Sequence, residues 1–146
     1  MKKYIVSACL CGIPCRMDGK AKPNPFVIEL YKKGLVVPVC PEQDGGLTTP
    51  RDPSERLGDR VISCKGKDVT AEFRRGAEID LEKARQNGCT IAILKAKSPS
   101  CGVGIIHNGK FDGGLVPGDG IFTELLKKEG FTCIVDTEAK DVLQPK

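Results

Sequence analysis

Short apolar runs alternate with longer amphipathic stretches along the chain. Four runs are rich in β-branched residues and have the length of buried strands; they cover residues 4–6, 35–39, 90–94 and 131–135. Between them lie stretches whose apolar residues recur at helical spacing. This order predicts an α/β fold, a three-layer sandwich in which helices flank a mainly parallel sheet with small β-hairpin insertions. We expect a single domain over residues 1–146.

Capping residues mark the start of each predicted helix. Asn24 followed by Pro25 is a typical helix start, and Thr70 and Asp119 are suited to capping the next two helices. Helical spacing gives the second helix one apolar face, which is made by Phe73, Ala77, Leu81 and Ala84.

The remaining segments predict hairpins and loops. Asn108-Gly109 predicts a tight hairpin within residues 103–111, and Gly66 predicts another within residues 60–69. Residues 41–59 contain several Gly and Pro residues and predict a long loop. Pro38 removes a ladder hydrogen bond, so the strand at 35–39 should end there or lie at a sheet edge.

Composition and charge narrow the class of protein. Hydrophobic residues make up 40% and charged residues 29% of the chain, as in globular domains. The net charge of +4 is too small to indicate a nucleic-acid binder by itself. No apolar run reaches the roughly 20 residues of a membrane span, and the apolar stretch after Lys2-Lys3 is too short for a signal peptide. We therefore expect a cytoplasmic protein with no membrane partner.

The eight cysteines and the single histidine, His107, change this picture. In a reducing cytosol, clustered cysteines more often bind metal or carry out chemistry than form disulfides. With one histidine, Cys/His zinc sites and serine triads lack their usual residues. A Cys-only zinc site, an iron–sulfur cluster and thiol redox chemistry remain as candidates.

Three cysteines follow predicted strands. Cys9 and Cys40 come directly after the first two strands, and Cys101 lies in the loop after the third. Parallel sheets bind ligands outside the carboxyl ends of their strands. We expect these three cysteines, which are far apart in sequence, to lie close together and form the candidate metal site.

Polar residues beside these cysteines are candidates for catalysis and substrate binding. Glu42 lies two residues beyond Cys40 and is suited to carrying protons. Ser98 and Ser100 precede Cys101 and can hydrogen-bond a ligand or a cluster sulfide. The substrate-binding candidates are Cys15, Arg16, Asp18 and Arg51.

The other cysteines and the histidine are given structural roles. Small apolar cysteines are frequent core residues, and this interpretation applies to Cys64, Cys89 and Cys133; Cys11 is also expected to point into the core. His107 precedes the Asn108-Gly109 turn and is interpreted as a surface residue.

The cysteine motifs resemble the family catalogued as domain of unknown function 523. The resemblance covers nearly the whole chain and is carried by three segments, Ser7-Ala8-Cys9-Leu10 through Cys15-Arg16-Met17-Asp18-Gly19, Cys40-Pro41-Glu42 through Pro50-Arg51, and Ser98-Pro99-Ser100-Cys101-Gly102. It implies an enzyme with a [4Fe-4S] cluster held by three cysteines. The fourth iron is open and takes sulfur from a thiolated pyrimidine of the thiouracil or 4-thiouridine type. Some relatives have an additional C-terminal domain that is missing here, which makes a nucleic-acid partner less favoured than a free base or nucleoside.

The leading hypothesis is a non-redox desulfidase. Cys9, Cys40 and Cys101 hold the cluster, water attacks the thiocarbonyl carbon with Glu42 as general base, and Ser98 or Ser100 orients the substrate. One alternative is a structural or binding protein with a Cys-only zinc site. Another is an electron-transfer protein in which Cys15 closes the cluster as its fourth ligand.

Overall fold

The computed structural model describes residues 2–143, which fold around a four-stranded parallel sheet with strand order β2-β1-β5-β8. The strands are β1 Tyr4–Ser7, β2 Val36–Val39, β3 Ser54–Leu57, β4 Arg60–Ser63, β5 Ile91–Leu94, β6 Ile105–His107, β7 Leu115–Pro117 and β8 Thr132–Val135. The α-helices are α1 Pro25–Lys32, α2 Pro41–Asp44, α3 Thr70–Gln86, α4 Ile121–Lys128 and α5 Ala139–Leu143. None of the helices in this part of the chain is long and apolar enough to cross a membrane.

Alternation along the central strands divides the core between the two faces of the sheet. Ile5 and Leu94 pack with Phe73 of α3 and Phe122 of α4 on one face. Their sequence neighbours face the other side, where Val6, Ile93 and Ile134 pack with Val27 of α1 and Ala139 of α5. The predicted three-layer α/β sandwich is confirmed.

The start of α1 and the edge position of β2 are also confirmed. The Asn24 side chain accepts a hydrogen bond of 3.2 Å from the Val27 amide, and Pro25 is the first helical residue. β2 pairs only with β1 in the sheet order, so the missing donor of Pro38 is tolerated at the edge.

Residues 41–59 are more ordered than the predicted long loop. Pro41 begins α2 directly after Cys40, and residues 54–57 form β3, which pairs antiparallel with β4. One hairpin therefore lies at 54–63 and turns at Gly58. Residues 61–63 also pair with 67–69: the Ser63 amide donates to the Lys67 carbonyl at 2.8 Å, the Val69 amide donates to the Val61 carbonyl at 2.9 Å, and Ile62 bridges to Asp68 between them. The predicted Gly66 hairpin is therefore confirmed in part: β4 pairs with residues 67–69 and also with a second partner, β3, which the sequence did not indicate.

Two predicted caps are wrong, and the hairpin predicted at Asn108-Gly109 is present as the antiparallel pair β6–β7 but with a longer turn than expected. The Thr70 hydroxyl contacts the amide of Val61 at 2.8 Å instead of capping α3. Asp119 binds the Gly104 amide at 2.8 Å, and Gly120 precedes α4. Asn108-Gly109 lies in a longer connection, residues 108–114, between β6 and β7. Thr70 and Asp119 thus bind residues 9 and 15 positions away instead of the adjacent helix start.

Candidate active site

Three strand ends border one cavity of about 490 Å³, a size typical of small-molecule sites, which span roughly 300–1,000 Å³. Cys9 lies in the 3-10 turn Ala8–Cys11 after β1, Cys40 follows β2, and Cys101 lies in the loop after β5. The strand order reverses between β1 and β5, and open parallel sheets bind ligands at such a topological switch point. The structure places at one cavity the three cysteines that were predicted to lie close together because each follows a strand.

Burial and thiol contacts raise the pKa of two of these thiols, Cys40 and Cys101, so both stay protonated in the absence of a metal. Cys101 is 4% exposed, and burial raises its pKa to about 12. Contact with the Cys15 thiol, followed by burial, holds the pKa of Cys40 far above its usual range. Metal binding displaces such protons and needs the thiolate form. Within residues 2–143, no three His, Cys, Asp or Glu side chains are grouped tightly enough for a single metal ion.

Cys15 lies on the same cavity and contacts two of the three grouped cysteines. Its contact with Cys40 lowers its pKa, but contact with Cys9 and burial outweigh this effect, and the pKa of Cys15 is raised to about 11. The Cys40 thiol also approaches the Cys15 carbonyl oxygen at 3.7 Å. Cys15 is therefore a fourth sulfur at this site.

Close packing of two helices fixes the position of Glu42. Glu42 lies in the first turn of α2, and α2 packs against α3 at glycines on both sides. A Cβ on Gly76 would lie 1.7 Å from the Pro41 carbonyl oxygen, and one on Gly45 would lie 1.9 Å from that of Glu72. Only glycine permits this approach, which holds Glu42 beside Cys40.

The two carboxylate oxygens of Glu42 have different partners. Arg51 donates from Nε to Oε1 at 2.9 Å, and Ser100 donates from Oγ to Oε2 at 3.0 Å. Glu42 and Arg51 are both largely shielded, with side chains 16% and 7% exposed. The pair presents an oriented carboxylate to the cavity.

The direction of the hydroxyl chain follows from the donor count. Ser98 Oγ accepts from the amides of Ser100 and Cys101 at 3.1 and 3.0 Å. Its distance to Ser100 Oγ is 3.0 Å. Because the single hydroxyl proton of Ser100 goes to Glu42, Ser98 must donate to Ser100. Ser98 thus shapes the loop, and Ser100 is the hydroxyl that contacts the carboxylate.

The predicted substrate-binding residues separate into three cases. Arg51 lines the cavity, but it also donates to the carbonyl oxygens of Cys15 and Thr48, so its contacts stabilise the site. Arg16 lines the cavity and pairs with Asp18 at 3.5 Å. Asp18 lies outside the cavity wall and binds the Lys20 amide at 3.0 Å.

The other cysteines lie away from the cavity. Cys11 and Cys89 are buried, and Cys133 is half-buried. Cys64 is exposed, so its interpretation as a core residue is wrong. It follows β4 in a surface turn, where the pairing of β4 with β3 places it.

Sequence reasoning missed one wall of the cavity. Glu55 of β3, His107 of β6 and Phe111 of the 108–114 connection line it, together with Lys95 and Lys97. His107 is half-buried, rather than a surface residue. The signal in the sequence was weak, because Glu55, His107 and Phe111 come from hairpins whose position depends on tertiary packing.

The comparison with known proteins identifies the family. A family model described as 2-thiouracil desulfurase matches residues 4–138. The chain belongs to the 2-thiouracil desulfurase family. The uncharacterized protein YbbK of Bacillus subtilis (strain 168) is 36% identical over 149 residues, which are 95% of this chain and 99% of the relative.

A solved structure extends the comparison. The [4Fe-4S]-dependent thiouracil desulfidase TudS (DUF523Vcz) is 43% identical and superposes with a TM-score of 0.93 over 98% of this chain and 96% of its own. Membership of the 2-thiouracil desulfurase family confirms the resemblance drawn from the cysteine motifs. It also favours the desulfidase hypothesis over the zinc and electron-transfer alternatives.

The donor set of the cavity suits an iron–sulfur cluster. Cys9, Cys15, Cys40 and Cys101 carry free thiols at one cavity. Soft thiolate ligands select iron–sulfur clusters, whereas hard ions prefer oxygen. The residues at this cavity therefore fit a [4Fe-4S] cluster, the cofactor in the name of the solved relative.

Proposed function

We propose that this protein is a [4Fe-4S]-dependent, non-redox desulfidase that converts a small thiolated pyrimidine and water into the oxygenated pyrimidine and hydrogen sulfide. The observation that carries the proposal is one cavity with both parts of the machinery, the thiols and the Glu42–Ser100 pair, in a chain of the 2-thiouracil desulfurase family.

Cys9, Cys40 and Cys101 would hold the cluster, and Cys15 would remain unbound. Three protein ligands leave one iron open, and such an iron supplies a soft Lewis acid for a thiocarbonyl sulfur. The distribution of these cysteines over three strand ends supports this assignment, because each loop then contributes one ligand.

Glu42 is proposed as the general base. Water forms a new C–O bond at the thiocarbonyl carbon, a Glu42 oxygen takes a proton from that water, and the C–S bond breaks to release hydrosulfide. Carbon keeps its oxidation state, so no external oxidant or reductant is needed. The ion pair with Arg51 supports this role by orienting the carboxylate.

Ser100 is proposed to move or hold the proton beside Glu42, and Ser98 to position Ser100. The donor directions support this division, because Ser98 donates to Ser100 and Ser100 donates to Glu42 Oε2. Ser100 Oγ also lies 3.8 Å from the Cys101 thiol. It therefore links the proton-carrying group to a proposed ligand.

The proposed substrate is a free base or nucleoside, and the proposed compartment is the cytoplasm. All eight cysteines carry free thiols, as a reducing compartment maintains. The cavity of about 490 Å³ suits a small molecule better than a nucleic acid, and we propose that residues 1–146 act as one domain. Arg16 at the cavity wall is proposed to contact the substrate.

Anaerobic reconstitution with iron and sulfide tests the function. We expect a brown protein with about four iron atoms per chain that releases sulfide from 2-thiouracil, 4-thiouracil or 4-thiouridine. Sulfide release and oxygenated pyrimidine should appear in equal amounts. A loaded protein that desulfurates none of these compounds would contradict the proposal.

A Cys15→Ser variant separates an open cluster from a closed one. If Cys15 is unbound, iron content and turnover stay close to those of the reconstituted wild type. Loss of iron would indicate a fourth cysteine ligand and would favour electron transfer. Cys64→Ser is the matched control, because Cys64 is exposed and lies outside the cavity.

A further inference from the structure

Two strained residues share the cavity wall that the sequence did not reveal. Within residues 2–143, the non-glycine residues with positive φ are Lys97 at 68° and Phe111 at 56°. A bulky side chain in this left-handed region is an outlier that the surrounding structure must enforce. Both residues line the cavity that holds the cysteines, so the strain is concentrated at the candidate active site.

The conformation at Phe111 is enforced from a neighbouring hairpin. Glu55 of β3 accepts two backbone hydrogen bonds at Oε1, from Gly109 at 3.0 Å and from Phe111 at 3.2 Å. The backbone at Gly109 approaches Leu57 so closely that a Cβ would lie 2.9 Å from Leu57 Cβ. The connection between β6 and β7 is therefore held against the β3–β4 hairpin.

The aromatic ring held in this way is not part of the core. Phe111 is 38% exposed and belongs to neither of the two apolar clusters that cover the faces of the sheet. A phenylalanine that only filled space would gain more from burial. The strained backbone and the Glu55 contacts instead hold a flat apolar surface at a cavity whose other wall carries polar groups and thiols.

We propose that Phe111 is the stacking surface for the pyrimidine ring of the substrate, and that Glu55 is a positioning residue that holds it there. This inference rests on the proposed function and adds the feature that selects the substrate class, a flat heteroaromatic ring. Aromatic side chains stack on any nucleobase. Stacking leaves the edge of the ring, where the sulfur is attached, free to face the polar groups.

Variants of Phe111 in reconstituted protein test the stacking. Phe111→Asn removes the ring but suits the left-handed conformation, so the connection keeps its path. We expect KM for the thiolated base to rise on the order of 10-fold, with kcat and iron content retained. Phe111→Tyr keeps a ring and should stay within about 2-fold of wild type, whereas Phe111→Leu should resemble Phe111→Asn. Leu115→Asn on β7, outside the cavity, is the control.

Binding of uracil, the product of 2-thiouracil desulfuration, gives a readout that needs no turnover. In equilibrium dialysis, Phe111→Asn should weaken uracil binding by the same factor as it raises KM. Glu55→Ala should have a similar effect, and Glu55→Gln should restore binding because the amide oxygen still accepts both backbone hydrogen bonds.

The outcomes separate this inference from the proposed function. Wild-type affinity for uracil in Phe111→Asn overturns the stacking role, and so does faster loss of iron with unchanged affinity, which would mark the ring as a shield. Loss of affinity in Glu55→Gln as large as in Glu55→Ala would overturn the positioning role. If the loaded wild type releases no sulfide, the proposed function fails, while uracil binding by the same variants still decides the role of Phe111.

Discussion

Cys101 at the carboxyl edge of the sheet and Cys89 just before β5 differ in whether they border the cavity, not in how deeply they are buried. Cys101 and Cys89 are both 4% exposed. Both belong to the apolar cluster under α3 and α4. Cys101 also borders the cavity and contacts the Ser100 hydroxyl, whereas Cys89 does not line the cavity. Burial alone therefore does not distinguish a candidate ligand from a core residue. The distinguishing feature is a shared cavity at the ends of neighbouring strands.

The strongest test of this comparison replaces the edge cysteines one at a time. Cys9→Ser, Cys40→Ser and Cys101→Ser should each abolish stable cluster binding, because a hydroxyl is a poor ligand for iron in place of a thiolate. Iron per chain after anaerobic reconstitution is the measurement, with Cys89→Ser as the buried control. Full iron in Cys101→Ser would remove Cys101 from the ligand set.

The next largest effect is expected at Glu42, which lies at the same edge but carries no sulfur. Glu42→Gln keeps a nearly equal shape, so the cluster and its colour should be retained. Turnover should fall by roughly 10²–10⁴-fold, the usual contribution of a positioned acid–base group. Iron content and sulfide release are measured on one preparation. Wild-type turnover in the loaded variant would exclude the catalytic role.

A smaller effect is expected at Asp80, a buried carboxyl of α3 near α2. Burial, followed by the nearby Asp44, raises its pKa to about 9, and Lys83 lies 3.8 Å away. The folded protein then retains a proton that the unfolded chain loses above about pH 4. Between pH 5 and 7.5 this group makes the free energy of unfolding fall as pH rises, by up to about 1.4 kcal/mol per pH unit.

Asp80→Asn should flatten that dependence, since the amide does not ionise. Urea unfolding of the cluster-free protein under reducing conditions, at several pH values in this interval, measures it. A variant with the same slope as wild type would show that Asp80 does not carry the dependence. Asp52→Asn serves as the matched control, because the Asp52 side chain is 46% exposed.

The smallest effect is expected at Cys64. Its exposed thiol contacts neither the core nor the cavity, so Cys64→Ser should change the free energy of unfolding by no more than about 0.5 kcal/mol. Iron content should be unchanged. Urea unfolding and iron analysis of the same variant check both statements, and loss of iron here would undermine the comparison between edge and distant cysteines.

The local pattern of the chain determined much of the fold. Four apolar runs became the parallel sheet, and Asn24 capped α1 as predicted. The cysteines after three strands also met at one cavity. These features depend on periodicity, caps and the rule that parallel strands end at one edge, all of which are read over a few residues.

Tertiary structure alone decided which groups meet across that edge. Ser100 and Glu42 are 58 residues apart, and Glu55 binds the amide of Gly109 from 54 residues away. β4 pairs not only with the nearer residues 67–69 but also with β3. Strand pairing and side-chain hydrogen bonds at such separations depend on which apolar surfaces are buried together. No local window of the sequence contains that information.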